Sequence, residues 1–301
     1  MQFNKYANDN SVNQLNLKGD YALPFMLDKV SVNGRLINLS NSVTEIISKH
    51  EYPDAVSRIL SELLVFVSLL GSNLKSQGIV TAELKANKGL IKLLVADYVF
   101  GGSIRGYGNF DLDAIITDKT SFKELVEEGY LVITLDLGEN FERYQGVVEI
   151  KGESLSHSII EYMESSQQII TAVKVVVAEQ KINQKVKWLA NGLLIQKLPD
   201  TRERKIEEDD WSRLAMYVET ISDEEMTLLD VSPEDLLHRL FHEEGVWAFE
   251  PIKIEHKCRC SRERMQNIVS SLPEEEKDSL IKEKGFIEIS CQFCNQKEVF
   301  A

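Results

Sequence analysis

The sequence predicts an α+β protein in three parts: a core domain of mixed sheet and helices over residues 1–200, an acidic helical linker over 201–252, and a small cysteine-bearing domain over 253–301. Three observations carry this. Up to about Asp200, strand-like and helical patterns follow one another with several strands adjacent, which suits an α+β layer rather than regular βαβ winding. After Pro199 the composition turns acidic: residues 201–255 hold 16 acidic and 6 basic residues, a segment charge of −10. All four cysteines, Cys258, Cys260, Cys291 and Cys294, fall in the last 44 residues.

In the first part, Ser42 with Glu45 reads as a capping box for a short helix ending near His50. Pro53 suits the first turn of a longer one. Along it Val56, Ile59, Leu60, Leu63, Leu64, Val67 and Leu70 recur at helical spacing as a single stripe. Strands are expected over 79–86 and 90–96, and Gly101, Gly102, Gly106 and Gly108 then read as a turn between strands. A helix over 121–128 closed by Gly129, strands over 130–137 and 144–150, a helix over 155–163, and strands over 169–178 and 186–198 complete the core. In the linker, Trp211, Leu214, Met216, Val218 and Ile221 form one helix, and Ser232-Pro233 starts another through Leu240. Helices this short and acidic need a neighbour to dock on. The plain reading is a solvated linker; the sharper one is a segment poised to unfold.

Composition excludes several classes. A formal charge of −14 disfavours nucleic acid, whose phosphates are held by surplus Lys and Arg. The most apolar stretch, 63–74, is too short for a membrane span of about 18 residues or more. The polar, Asn-rich stretch 1–20 has no apolar core of a signal peptide. With no cysteine before residue 258, a disulfide-stapled secreted framework is excluded, and a cytoplasmic protein is expected.

The chemistry is in the cysteines. Cys-Arg-Cys, thirty intervening residues, then Cys-Gln-Phe-Cys gives two close thiolate pairs brought together by a folded insert. Four such ligands make a closed tetrahedral Zn²⁺ site, one ion per chain, which is structural because no coordination position is left open. Between the pairs, 261–272 and 274–284 read as helices and 286–289 as a strand. The insert is poor in apolar residues, so metal supplies much of its stability. Lys257, Arg259, Arg262, Arg264 and Lys297 surround the cysteines; they either lower the thiol pKa values or offset the net −2 of a zinc tetrathiolate, and the sequence leaves both open. His256, two residues before Cys258, is a substitute ligand that a filled tetrahedral site does not need. No Ser/His/Asp or paired-carboxylate arrangement stands out, so no enzyme is expected.

These residues resemble the heat shock protein 33 family of redox-regulated holdase chaperones. The resemblance rests on Cys258-Arg259-Cys260-Ser261-Arg262-Glu263-Arg264 and Cys291-Gln292-Phe293-Cys294 at the family's spacing. Arg105-Gly106-Tyr107, Glu142-Arg143-Tyr144-Gln145-Gly146, Ser166-Gln167-Gln168 and His242-Glu243-Glu244 add to it. It implies an ATP-independent chaperone that is zinc-bound and quiescent when reduced. Oxidation would form disulfides Cys258–Cys260 and Cys291–Cys294, expel zinc, unfold the cysteine domain and linker, and favour a homodimer that holds unfolding client proteins. The competing reading from another class is a constitutive zinc-ribbon adaptor for protein partners.

Overall fold

The computed structural model describes residues 4–6, 19–117, 119–138, 141–151, 154–182, 185–201, 204–227 and 231–300. Most of the polar stretch 1–20 therefore lies outside the described residues. In chain order come β1 (Asn4–Tyr6), β2 (Tyr21–Leu27), β3 (Val32–Leu39), α1 (Asn41–Ile47) and α2 (Asp54–Gly71). Then follow β4 (Ile79–Lys88), β5 (Ile91–Val99), β6 (Ser103–Phe110), α3 (Phe122–Leu125), β7 (Glu128–Asp136), β8 (Tyr144–Glu149) and α4 (Leu155–Ser165). After β9 (Thr171–Ile182) and β10 (Lys185–Lys197) the chain forms α5 (Glu208–Thr220), α6 (Asp223–Thr227) and α7 (Pro233–Phe241). It ends with β11 (Val246–Ala248), β12 (Ile252–Lys253), β13 (Glu255–His256), α8 (Arg262–Ser271), α9 (Glu274–Lys284), β14 (Ile287–Ser290) and β15 (Lys297–Phe300). The class is the α+β expected.

Two sheets enclose α2. The first runs β1-β11-β2-β3-β10-β9, with β12 also on β2; the second runs β13-β6-β5-β4-β7-β8. Ile37, Leu39, Ala190 and Leu194 from the first sheet and Val80, Ala82, Leu84, Leu94, Ala96 and Ile104 from the second meet around the helix. The expected stripe is buried apart from half-buried Leu70, and Val65, Phe66 and Leu69 outside it are buried as well. A helix covered on two sides has no solvent face to mark. Its buried hydroxyls bond back into the helix, Ser61 Oγ to Ser57 O and Ser68 Oγ to Leu64 O, each at 2.7 Å. At Gly192 the helix comes so close to β10 that a Cβ would lie 2.4 Å from Val65 Cγ1.

Three local expectations change. The Ser42–Glu45 capping box does not form, and Ser40 is the N-cap with no side-chain bond of its own. Instead the buried Asp20 carboxylate accepts the N–H groups of Ser40, Asn41 and Ser42 at 2.9, 3.0 and 2.6 Å. Only Gly101 and Gly102, with φ of 95° and 99°, make the expected turn; Gly106 and Gly108 lie within β6. The helix after Ser121 stops at Leu125, because the chain returns to pair with β4 and Glu127 N–H donates to Lys88 O at 3.1 Å.

The acidic segment lies against the first sheet. Trp211, Leu214, Val218 and Ile221 face inward, while Met216 is 58% exposed, as a 3.6-residue period requires of a position out of phase with the others. With Ile206, Met226, Leu236, Leu237 and Phe241 they cover Leu23, Phe25, Leu27, Leu193 and Ile195. The rings of Phe241 and Phe25 stack at 5.9 Å, and Asn191 Nδ2 donates to Met226 O. Beyond α7 the chain inserts β11 between β1 and β2, adds β12 to β2, and crosses to the other sheet as β13.

Candidate metal centre

The first cysteine pair is delivered by β13, which runs parallel to β6 and pairs Glu255 with Ser103 and His256 with Ile104. Glu255 N–H donates to Gly102 O and Lys257 N–H to Ile104 O, at 2.9 and 3.0 Å. Gly102 is required there, since a Cβ would fall 2.0 Å from Lys253 O. After Cys260, Ser261 caps α8 by accepting the Arg264 N–H at 3.2 Å. The second pair occupies the turn between the antiparallel strands β14 and β15. Cys291 N–H donates to Gln296 O at 2.9 Å and Asn295 N–H to Cys291 O at 2.8 Å. Asn295 takes a left-handed φ of 56°, which asparagine tolerates better than most residues.

The four Sγ atoms all lie within 4.8 Å of one another. Cys258 Sγ is 3.6 Å from Cys291 Sγ, and Cys260 Sγ is 3.5 Å from Cys294 Sγ. A tetrahedral ion with metal–sulfur bonds of about 2.3 Å sets its sulfurs about 3.8 Å apart, so four cysteines at these separations can hold a metal ion. Burial raises the Cys258 thiol, but the Cys260 backbone N–H and the neighbouring thiols outweigh it and bring the group down to about 7. Burial, with the neighbouring thiols, pushes Cys260 up, and burial pushes Cys294 up. One thiolate thus forms at the expense of the others, and a full set needs a cation among the sulfurs.

The flanking cations are paired with other groups. Arg259 Nη2 donates to Asp97 Oδ2 at 2.6 Å, Arg262 pairs with Glu298 and lies over the Phe300 ring, and Lys297 pairs with Glu288 at 3.0 Å. Arg264 Nη1 donates to Arg259 O at 2.7 Å. These contacts shape the module and dock it on the core. His256 is not part of the sulfur cluster: its Nδ1 lies 3.1 Å from Glu45 Oε1, and that hydrogen bond is the main reason Glu45 sits below the usual carboxylate range.

Sequence reasoning missed the docking partners. Asp97 on β5 carries no local motif, and Arg105 on β6 entered only within Arg105-Gly106-Tyr107 as part of the resemblance, inside a glycine-punctuated run read as a turn. Asn295 Nδ2 donates to Lys49 O and sits 3.3 Å from His50 Nδ1. Burial lowers the His50 pKa, partly offset by backbone hydrogen bonds at Phe293 and Gln292. Among the described residues no helix is long and apolar enough to cross a membrane.

Comparison with known proteins agrees across sequence and fold. The family model described as Hsp33 protein matches residues 20–301. The 33 kDa chaperonin of Pseudomonas fluorescens (strain SBW25) is 36% identical over 290 residues, covering 93% of this chain and 90% of that protein. The 33 kDa chaperonin of Caulobacter vibrioides (strain NA1000 / CB15N) is 31% identical over 282 residues, covering 92% and 93%. The crystal structure of the 33 kDa chaperonin (heat shock protein 33 homolog) from Thermotoga maritima shares the fold, with a TM-score of 0.78 at 22% identity over 93% of this chain and 94% of that one. With its cysteine pairs at this spacing, and with a match that runs from Asp20 to its last residue, the chain belongs to the Hsp33 protein family.

Proposed function

We propose that this chain is a redox-regulated, ATP-independent holdase: zinc-bound through Cys258, Cys260, Cys291 and Cys294 and inactive when reduced, and activated when those cysteines form disulfides. One observation carries the reading. Among the described residues after Lys257, only Met265 and Ile287 are buried, so the module that holds the four sulfurs has almost no apolar core. Modules of this kind take their folding energy from the metal, on the order of 10–16 kcal/mol for structural zinc. When bound, zinc supplies a charge-neutralising cross-link between the two knuckles. The residues themselves do the rest. The knuckles dock on β5 and β6, and α5–α7 cover the apolar outer face of the first sheet.

Oxidation joins Cys258 to Cys260 and Cys291 to Cys294. In forming each disulfide the two thiols give two electrons and two protons to one equivalent of a peroxide-class oxidant, whose O–O bond breaks to leave water and an alcohol or, for hydrogen peroxide, two waters. No thiolate then remains to ligate metal, and the module loses its main source of stability. The acidic helices pack on the first sheet and are joined to the module through β11, β12 and β13; loss of the module frees that connection, and the surface around Leu23, Phe25, Leu27, Leu193 and Ile195 opens to unfolded client chains. An oxidised homodimer and a cytoplasmic location accompany this reading.

The test is suppression of aggregation of a thermally unfolding client, with zinc and thiols quantified before and after oxidation. Activity confined to oxidised, zinc-free protein is expected, with non-reducing peptide maps showing Cys258–Cys260 and Cys291–Cys294. The contacts of 3.5 and 3.6 Å run across the knuckles, so a map dominated by Cys258–Cys291 and Cys260–Cys294 would reject this pairing. Oxidised protein without activity would leave the constitutive zinc-ribbon adaptor in its place.

A further inference from the structure

Asp97 is 2% exposed and lies in the middle sheet strands, away from the sulfurs. Its Oδ1 accepts from Thr81 Oγ1 at 2.7 Å. Its Oδ2 accepts from Arg105 Nε at 2.7 Å and from Arg259 Nη2 at 2.6 Å. Thr81 and Arg105 are its direct cross-strand partners on β4 and β6, so strand register alone fixes three of these four groups. The fourth comes from 162 positions along the chain and is the residue between Cys258 and Cys260. Arg105 in turn lays its guanidinium 3.8 Å above the Phe293 ring, and Phe293 lies between Cys291 and Cys294. One buried carboxylate therefore orients two arginines, one from each side of the docking contact, and each arginine engages a different knuckle.

We propose that Asp97 is a positioning residue for the redox switch: by holding Arg259 and Arg105 against the two knuckles, it sets how readily the cysteine module leaves the core when its metal is lost. The proposal rests on the holdase reading above. Removing one member of a buried ion pair strands the other as an uncompensated buried charge, which is strongly destabilising. Here Asp97 keeps Arg105 and Thr81 after Arg259 departs. The core is not left with a bare buried charge, and the module can undock without unfolding the second sheet. Fixed donors on β4 and β6 make the contact reversible as well as strong.

The experiment uses full-length, zinc-loaded Asp97→Asn, Arg259→Gln and the double variant. It measures the rate of zinc transfer to a chromogenic chelator under reducing conditions and the oxidant dose that half-activates holdase activity. Groups in direct contact couple by factors that centre on roughly tenfold. Each single variant should release zinc about tenfold faster and activate at a lower dose, the double variant no faster than the faster single, and Arg259→Lys should fall between Arg259→Gln and wild type. Wild-type zinc release in Arg259→Gln, or effects that multiply in the double variant, would overturn the proposal. If Asp97→Asn does not fold, the two Arg259 variants carry the test, because that side chain is 31% exposed and outside the core. Asp97→Asn that melts earlier yet keeps the wild-type zinc-release rate would mark a merely structural residue. If wild-type protein shows no oxidation-dependent holdase activity, the functional reading fails on its own, while hydrogen exchange over 258–300 in Arg259→Gln still reports whether the latch holds the module.

Discussion

Phe241→Ala isolates the docking of the acidic helices from the chemistry of the cysteines. Phe241 is fully buried at the end of α7 and stacks on Phe25 of β2 in the first sheet, whereas the cysteine knuckles dock on the second. Truncating a buried phenylalanine costs about 3–5 kcal/mol through lost transfer energy and the cavity left behind. That cost falls on a segment of three helices laid on one face of the first sheet, so it should appear as local opening rather than global unfolding. At about 1.4 kcal/mol per tenfold, amides of 208–241 should exchange roughly 100- to 4,000-fold faster in reduced, zinc-loaded protein, while 79–110 stay protected. Aggregation assays on the same sample should show holdase activity without oxidation and with zinc retained. Met216→Ala, on the exposed side of α5, is the control and should change stability by no more than about 0.5 kcal/mol. Unchanged exchange over 208–241, or equal loss of protection in both sheets, would refute the idea that this face is covered by an independently opening flap. Faster exchange without holdase activity would show that the covered surface is not where clients bind.

Three further outcomes follow from single residues. Cys291→Ser should carry little or no zinc, measured by metal analysis of reduced protein, because a tetrahedral tetrathiolate loses a quarter of its ligands; wild-type zinc content would reject the four-thiolate site. Asp20→Ala removes one carboxylate that accepts three backbone N–H groups at the start of α1, and should lower stability by about 2–4 kcal/mol in urea titration; Asp20→Asn should recover part of it, and no loss in Asp20→Ala would mean water caps the helix. Burial raises Glu62 from 4.5 to about 7, opposed by Arg58 one turn earlier. The folded state therefore binds the extra proton between these values, and its stability falls as pH rises through about 7. Glu62→Gln should gain about 2 kcal/mol more over wild type at pH near 8 than at pH near 5.5, and a gain that does not vary with pH would exclude ionisation as its cause.

The chain itself marks what is local. The cysteine spacing, the period of α2 and the in-phase apolar positions of α5 are read from residues within a few turns of one another, and each needs only backbone geometry to be interpreted. Gly285 ends α9 with a left-handed φ of 79°, again a property of neighbours. The four-cysteine site was legible for the same reason: each knuckle is a contiguous segment, and the structure had only to bring two such segments together.

What tertiary structure decided lies between residues that share no local signal. The cap of α1 comes from Asp20 and not from Ser42 and Glu45, because a buried carboxylate supplied by the β2 end reaches three N–H groups that a neighbouring hydroxyl would reach singly. β11, β12 and β13 are two or three residues each, too short for any alternation to register, and exist only because sheet edges were waiting for them. The burial of Val65, Phe66 and Leu69 on α2 depends on its being covered from two sides by the two sheets. Asp97 is unmarked in the chain, Arg259 is marked only as a neighbour of the cysteines, and the two meet only once β5, β6 and the first knuckle are in place. Composition and periodicity determined which segments fold and where the four cysteines that could hold a metal gather; burial against distant strands determined which charges become contacts, because an ion pair acquires its meaning only when water has been removed from around it.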